Sequence, residues 1–158
     1  MPNIFIIPAG SKDGQVHYSK TIKSETGYPL DKILPFISKP DVKEALEDTY
    51  TDRNCYVWGS QIGGTNEGTW NNMQVGDLVL FYWSKTIHAA AYVALKTHNK
   101  NLATHIWGSP ESSYELMYFL RPPRFCEVPI ETMPKYFGKG YRRLNNLKTS
   151  ATREDAIQ

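Results

Sequence analysis

Trp70-Asn-Asn-Met-Gln-Val-Gly-Asp-Leu-Val-Leu-Phe-Tyr-Trp83 is the stretch on which the fold turns. From Leu78 to Trp83 every position is apolar, so the strand it forms is covered on both faces and runs through the middle of a sheet. Gly76-Asp77 turns the chain into that strand, with Asp77 orienting the turn, and Trp70 is assigned to the core. Ile87 to Leu95 follows at once and pairs with it as a hairpin.

The flanking sequence supplies the other layers. Asn3 to Ile7 is a β-rich run stopped by Pro8-Ala-Gly-Ser11, a strand opening into a loop. Asp13 to Lys23 reads as helix, Gly27-Tyr-Pro29 and Pro35 as an irregular connection. Lys39 to Asp48 is a short helix with proline near its start and early acidic residues. Cys55 to Trp58 is a strand, followed by Gly59 to Gly68, a long polar glycine-rich loop of the kind that carries function. His98 to Trp107 is a helix stopped by Gly108, and Tyr114–Leu120 and Phe125–Pro129 are strands around Arg121-Pro-Pro-Arg124. Glu131 to Phe137 closes the series as a short helix. These elements make an α+β fold, a small mixed β-barrel surrounded by short helices, with 1–148 as one domain and 149–158 as a loose tail or linker.

Composition excludes several classes. The 158 residues contain no run approaching a membrane span, and the N-terminal run Ile4–Ile7 lacks the basic flank of a signal peptide, which points to a cytoplasmic protein. Cys55 and Cys126 lie far apart and form no CxxC, the pattern of reduced thiols. Twenty aromatic residues (six Phe, four Trp, ten Tyr) suit base stacking and core filling equally. Charge is more telling. Residues 1–120 hold ten Lys/Arg against twelve Asp/Glu, whereas 121–148 hold seven basic residues against Glu127 and Glu131. Arg121, Arg124, Lys139, Arg142, Arg143 and Lys148 are therefore the candidates for contacting a nucleic-acid backbone.

Familiar catalytic patterns are missing. Gly63 to Gly68 has phosphate-loop spacing, but Thr69-Trp70 replaces the lysine and hydroxyl that the loop requires. His17, His88, His98 and His105 have no cysteine or carboxylate at metal-ligand spacing. Neither a zinc-deaminase signature nor a nucleophile elbow is present. No metal, cofactor or catalytic residue is expected.

Three ordered segments carry a family resemblance: Ile4-Phe-Ile-Ile-Pro-Ala-Gly-Ser11, Tyr56-Val-Trp-Gly-Ser60, and Trp70 to Trp83 continuing through Ala91-Tyr-Val-Ala94 and His105-Ile-Trp-Gly108 to Tyr114–Phe119. In this order they resemble the YTH/EVE branch of the PUA-like superfamily, closest to the N-terminal specificity domains of prokaryotic modification-dependent restriction systems. The resemblance implies a non-catalytic pocket that takes a flipped, modified base, N6-methyladenine before 5-methylcytosine, into an aromatic cage. It implies Trp58 and Trp107 as cage walls. Ala9, Gly10, Ser11, Gly59 and Ser60 would read the base edge. The chain departs from the family in its Pro8-Ala9-Gly10 loop and in lacking a tryptophan near Ser112, a wall that Trp83 or Tyr82 would supply. Methylated DNA is the implied partner, with a separate nuclease or AAA+ subunit; an RNA reader belongs to the same class. Gln61 and Asn66 are candidates for filling the gap left by the flipped base. The alternative from another class is a small ASCH-type amidohydrolase of modified nucleosides using Lys85, Thr86 and Glu67.

Overall fold

Leu78–Trp83 forms β4, and both its neighbours are paired along its length. In the computed structural model, which describes residues 3–23, 27–108 and 114–132 and the backbone of 148–149, the chain forms one mixed sheet with helices packed against it. The elements are β1 (Ile4–Pro8), α1 (Lys12–Thr21), β2 (Tyr28–Pro29), α2 (Pro40–Thr49), β3 (Asn54–Ser60) and α3 (Gly64–Asn72). After β4 come β5 (Thr86–His98), α4 (Lys100–Trp107), β6 (Leu116–Leu120), β7 (Arg124–Pro129) and β8 (Lys148–Thr149). Short 3-10 turns occupy Leu30–Lys32, Leu34–Phe36 and Ile130–Thr132.

The sheet has eight strands in the order β2-β3-β6-β5-β4-β1-β8, with β7 joined to β5 off this path. It is α+β, as the sequence predicts, but it does not close into the expected barrel. The reason lies in β5. Its first half, Thr86–Ala90, is held between β4 and β7, while its second half, Val93–His98, pairs with β6. Irregularities at Phe81/Tyr82, Ile87/Ala89 and Val93/Leu95 bend the strand between these pairings. The bend curls the sheet, yet its terminal strands β2 and β8 are not paired with each other.

Alternation divides the core. Phe5, Ile7, Val79 and Phe81 face one way with Tyr18, Trp58 and Tyr118; Ile4, Ile6, Leu78, Leu80 and Ile87 face the other. A third cluster, with Val57, Leu102, Ile106, Met117 and Phe119, lies under α4 and α2. The segment read as a glycine-rich loop is helical from Gly64. Its propensity is poor, and side-chain anchoring overrides it. Trp70 Nε1 donates to the Met117 carbonyl at 3.1 Å, Lys96 sits 4.4 Å above the indole, and Met73 is buried.

The turn before β4 is fixed by Asp77, which is almost fully buried. One carboxylate oxygen accepts from the Asn3 N–H at 2.9 Å and the other from the Gln74 N–H at 2.8 Å, joining β1 to the turn. Asp77→Ala leaves both N–H groups without an acceptor and should cost about 2–4 kcal/mol. Urea denaturation with an unchanged m-value checks this; a loss below about 1 kcal/mol would contradict it.

Candidate functional site

The middle of α1 and the ends of β3 and α4 come together around Gly59. A Cβ at this position would stand 2.2 Å from the Tyr114 carbonyl oxygen and 2.9 Å from Trp107 Cζ3, so only glycine allows the approach. Trp107 is the last residue of α4, which Asn99 caps by accepting from the Leu102 N–H at 2.9 Å and which Gly108 ends with φ 88°. Lys20 of α1 donates its ammonium to the Ile106 carbonyl and ties the two helices together. His17, three residues earlier on α1, then lies against both aromatic rings. Its centroid is 5.4 Å from Trp107 and 4.6 Å from Tyr114, and Trp107 is 6.1 Å from Tyr114.

This nest holds polar groups in unusual states. The Trp107 indole N–H is buried and meets no acceptor among the described residues. On the other face of β3 the buried Tyr118 hydroxyl has Ser60 beside it but no hydrogen bond of acceptable geometry, and burial pushes its pKa well up. Burial also lowers the His17 pKa, with Asp13 opposing and Lys20 assisting, so the imidazole is held toward its neutral form. Tyr114 is likewise pushed up by burial and stays a phenol. The nest therefore offers flat rings, an indole donor and a neutral imidazole, which suits an uncharged heteroaromatic ring.

The residues singled out in the sequence fall into two groups. Trp107 and Gly59 belong to the nest. Trp58 faces away from it, only 5% exposed, edge-on to Phe81 at 5.1 Å. Trp83 lies in a second aromatic group with Tyr18 (4.8 Å, edge-on) and His88 (3.7 Å, stacked). Gly10 packs there, since a Cβ on it would meet Trp83 Cβ at 2.7 Å. Tyr82 points to the opposite face of β4, with Ile4, Ile6 and Leu80.

Ala9 is buried, its N–H donating to the Tyr82 carbonyl at 2.9 Å and its carbonyl accepting from Gln15 Nε2 at 2.7 Å. Ser11 caps α1 by accepting from the Gly14 N–H at 2.9 Å, and Ser60, half-buried, ends β3. Arg121 and Arg124 are exposed at the β6–β7 connection. Lys139, Arg142 and Arg143 lie outside the described residues, and Lys148 is placed by its backbone alone, opposite Phe5. Asn66 donates to the Gln61 carbonyl at 3.0 Å.

Lys85 and Thr86 sit at the β4–β5 hairpin beside Glu131; the cleft there is not lined by Glu67, and the Thr86 hydroxyl donates to the Ser84 carbonyl at 3.2 Å. Both cysteines are free, and among the described residues no three His, Cys, Asp or Glu side chains group as metal ligands. No helix among the described residues is long and apolar enough to cross a membrane. His17 and Tyr114, which the sequence had not marked for the pocket, also line the nest. The His17-Tyr18 pair in the middle of α1 was the available signal, because adjacent helical residues present rings to two different neighbours.

No family model matches the chain, and no curated protein matches it in sequence. Among solved structures it is similar to the YTH domain of the Zygosaccharomyces rouxii MRB1 protein, determined in complex with N6-methyladenosine RNA. That match has 15% identity and a TM-score of 0.49, and it covers 99% of this chain and 84% of that one.

The state of His17 has a measurable consequence. Its folded pKa lies below the ordinary value of about 6.5, so the unfolded chain takes up this proton first as pH falls. Stability should therefore decline from about pH 7 toward pH 5 more steeply in the unaltered chain than in His17→Gln. Thermal melts across that window check it; parallel profiles would show that His17 contributes nothing.

Proposed function

We propose that this chain is a non-catalytic reader of a methylated nucleobase, and that the base enters the nest of Trp107, His17 and Tyr114 over Gly59. One observation carries the reading: the buried Trp107 N–H without an acceptor, surrounded by rings. An unpaired buried donor costs about 1–3 kcal/mol, which a ring nitrogen or carbonyl of a bound base would restore. Stacking adds about 1–3 kcal/mol per base, against a few kcal/mol to extrude the base from a duplex.

These magnitudes set the selectivity. Burying one methyl group contributes about 0.8 kcal/mol, roughly fourfold in affinity. A larger preference requires that the unmethylated amino group lose a hydrogen bond to water that the pocket does not replace. N6-methyladenine is the base we assign. Duplex DNA is the assigned polymer, and the chain acts as the specificity module for a separate nuclease or translocase. The sequence resemblance to prokaryotic specificity domains supports those last two assignments. The exposed Arg121 and Arg124 fit phosphate contacts.

The test is fluorescence-anisotropy binding at fixed salt. Its probes are matched duplexes carrying adenine, N6-methyladenine or 5-methylcytosine, with N6-methyladenosine RNA alongside. The N6-methyladenine duplex should bind at least about fourfold more tightly than its unmethylated match. Trp107→Phe, which keeps a ring and removes the N–H, should weaken the methylated probe roughly tenfold at retained folding. Equal binding to every probe would overturn the reading, and preference for the RNA would move the polymer assignment.

A further inference from the structure

Across α1 from the nest lies a concave site with a different lining. A cleft of about 460 Å³ opens between α1, the β4–β5 hairpin and β7. Trp83 and His88 form one wall as a stacked pair, centroids 3.7 Å apart and nearly parallel at 11°, with His88 Nε2 3.2 Å from the Trp83 carbonyl. Tyr18 stands edge-on to Trp83, and Phe125 forms the facing side. Phe125 is 49% exposed, one of few large apolar side chains left in solvent among the described residues. An exposed ring on a concave surface beside a prepared stack is the arrangement of a binding platform.

We infer that this cleft is a second base subsite, which takes an unstacked base next to the methylated one on the same strand. The inference rests on the reading of the nest as a base pocket. Three observations lead to a base as the occupant. The walls are flat rings, and the volume suits a ligand of nucleobase size. The rim carries one cation and one carboxylate, Lys23 and Glu127, which offer a phosphate contact and an acceptor for an exocyclic amino group; a purely anionic or purely apolar ligand would leave one of them unmatched. The two sites are also adjacent, because the consecutive residues His17 and Tyr18 of α1 contact the nest and the cleft in turn.

Phe125→Ala and a thiol footprint test this on the full chain. Phe125 is exposed, so its removal should leave folding intact. A duplex DNA with one N6-methyladenine should bind Phe125→Ala at least about fivefold more weakly, with the ratio of methylated to unmethylated affinity unchanged. An abasic site beside the methylated base should reproduce that loss and make Phe125→Ala silent. Cys126 lines the cleft whereas Cys55 is fully buried, so the bound duplex should slow maleimide labelling of Cys126 in mildly alkaline buffer. Retained methyl preference with no Phe125 effect and unchanged Cys126 labelling would overturn the second subsite and leave the first reading standing. Absence of any methyl preference in the unaltered chain would overturn both.

Discussion

Strand β5 is the member on which the other strands depend. Its thirteen residues pair with β4 and β7 over one half and with β6 over the other, so a single strand satisfies the backbone of three. No flat strand can do this, and the register irregularities are where it bends. The bend places β3 and β6, which carry Gly59 and the segment after Tyr114, beside α1, which enters from β1 on the far side of β4. Both aromatic sites lie along α1 for this reason.

The two sites differ in how they are built. The nest around Gly59 is tight: helix ends and a missing side chain let its rings close in, its buried indole N–H meets no acceptor among the described residues, and burial holds its histidine toward the neutral form. The cleft beyond α1 is open, with rings already stacked and charges at the rim. A closed polar nest discriminates between bases, because every unmet donor there carries a cost. An open stacking platform adds affinity with little discrimination. In the proposed reading, their adjacency would give one helix both tasks.

Much of the fold was legible because it rests on local patterns. The two-faced apolar run Leu78–Trp83, the alternation in β5 and the glycine after Trp107 each specify an element without tertiary help. Helix α3 was not legible, since Gly64–Asn72 has weak propensity and is held by Trp70 reaching Met117, forty-seven positions away. The expected barrel failed on the bend in β5, a matter of register that periodicity does not encode. At the site, the sequence pointed to Trp107 and Gly59 but grouped them with Trp58. Alternation along β3 puts Trp58 on the face opposite Gly59, and the ring that meets Trp107 is instead His17, supplied by a distant helix.

The proposed reading makes the Trp107 N–H a donor reserved for a base. Four tryptophans give four indole N–H signals in a nitrogen-labelled proton spectrum, and the Trp70 signal is an internal reference because its donor already has the Met117 carbonyl. On titration with a duplex carrying N6-methyladenine, the Trp107 indole proton should move downfield as it gains an acceptor while the Trp70 proton stays in place. A probe that binds while the Trp107 signal remains unmoved would contradict the account, because the base would then be held somewhere other than the nest.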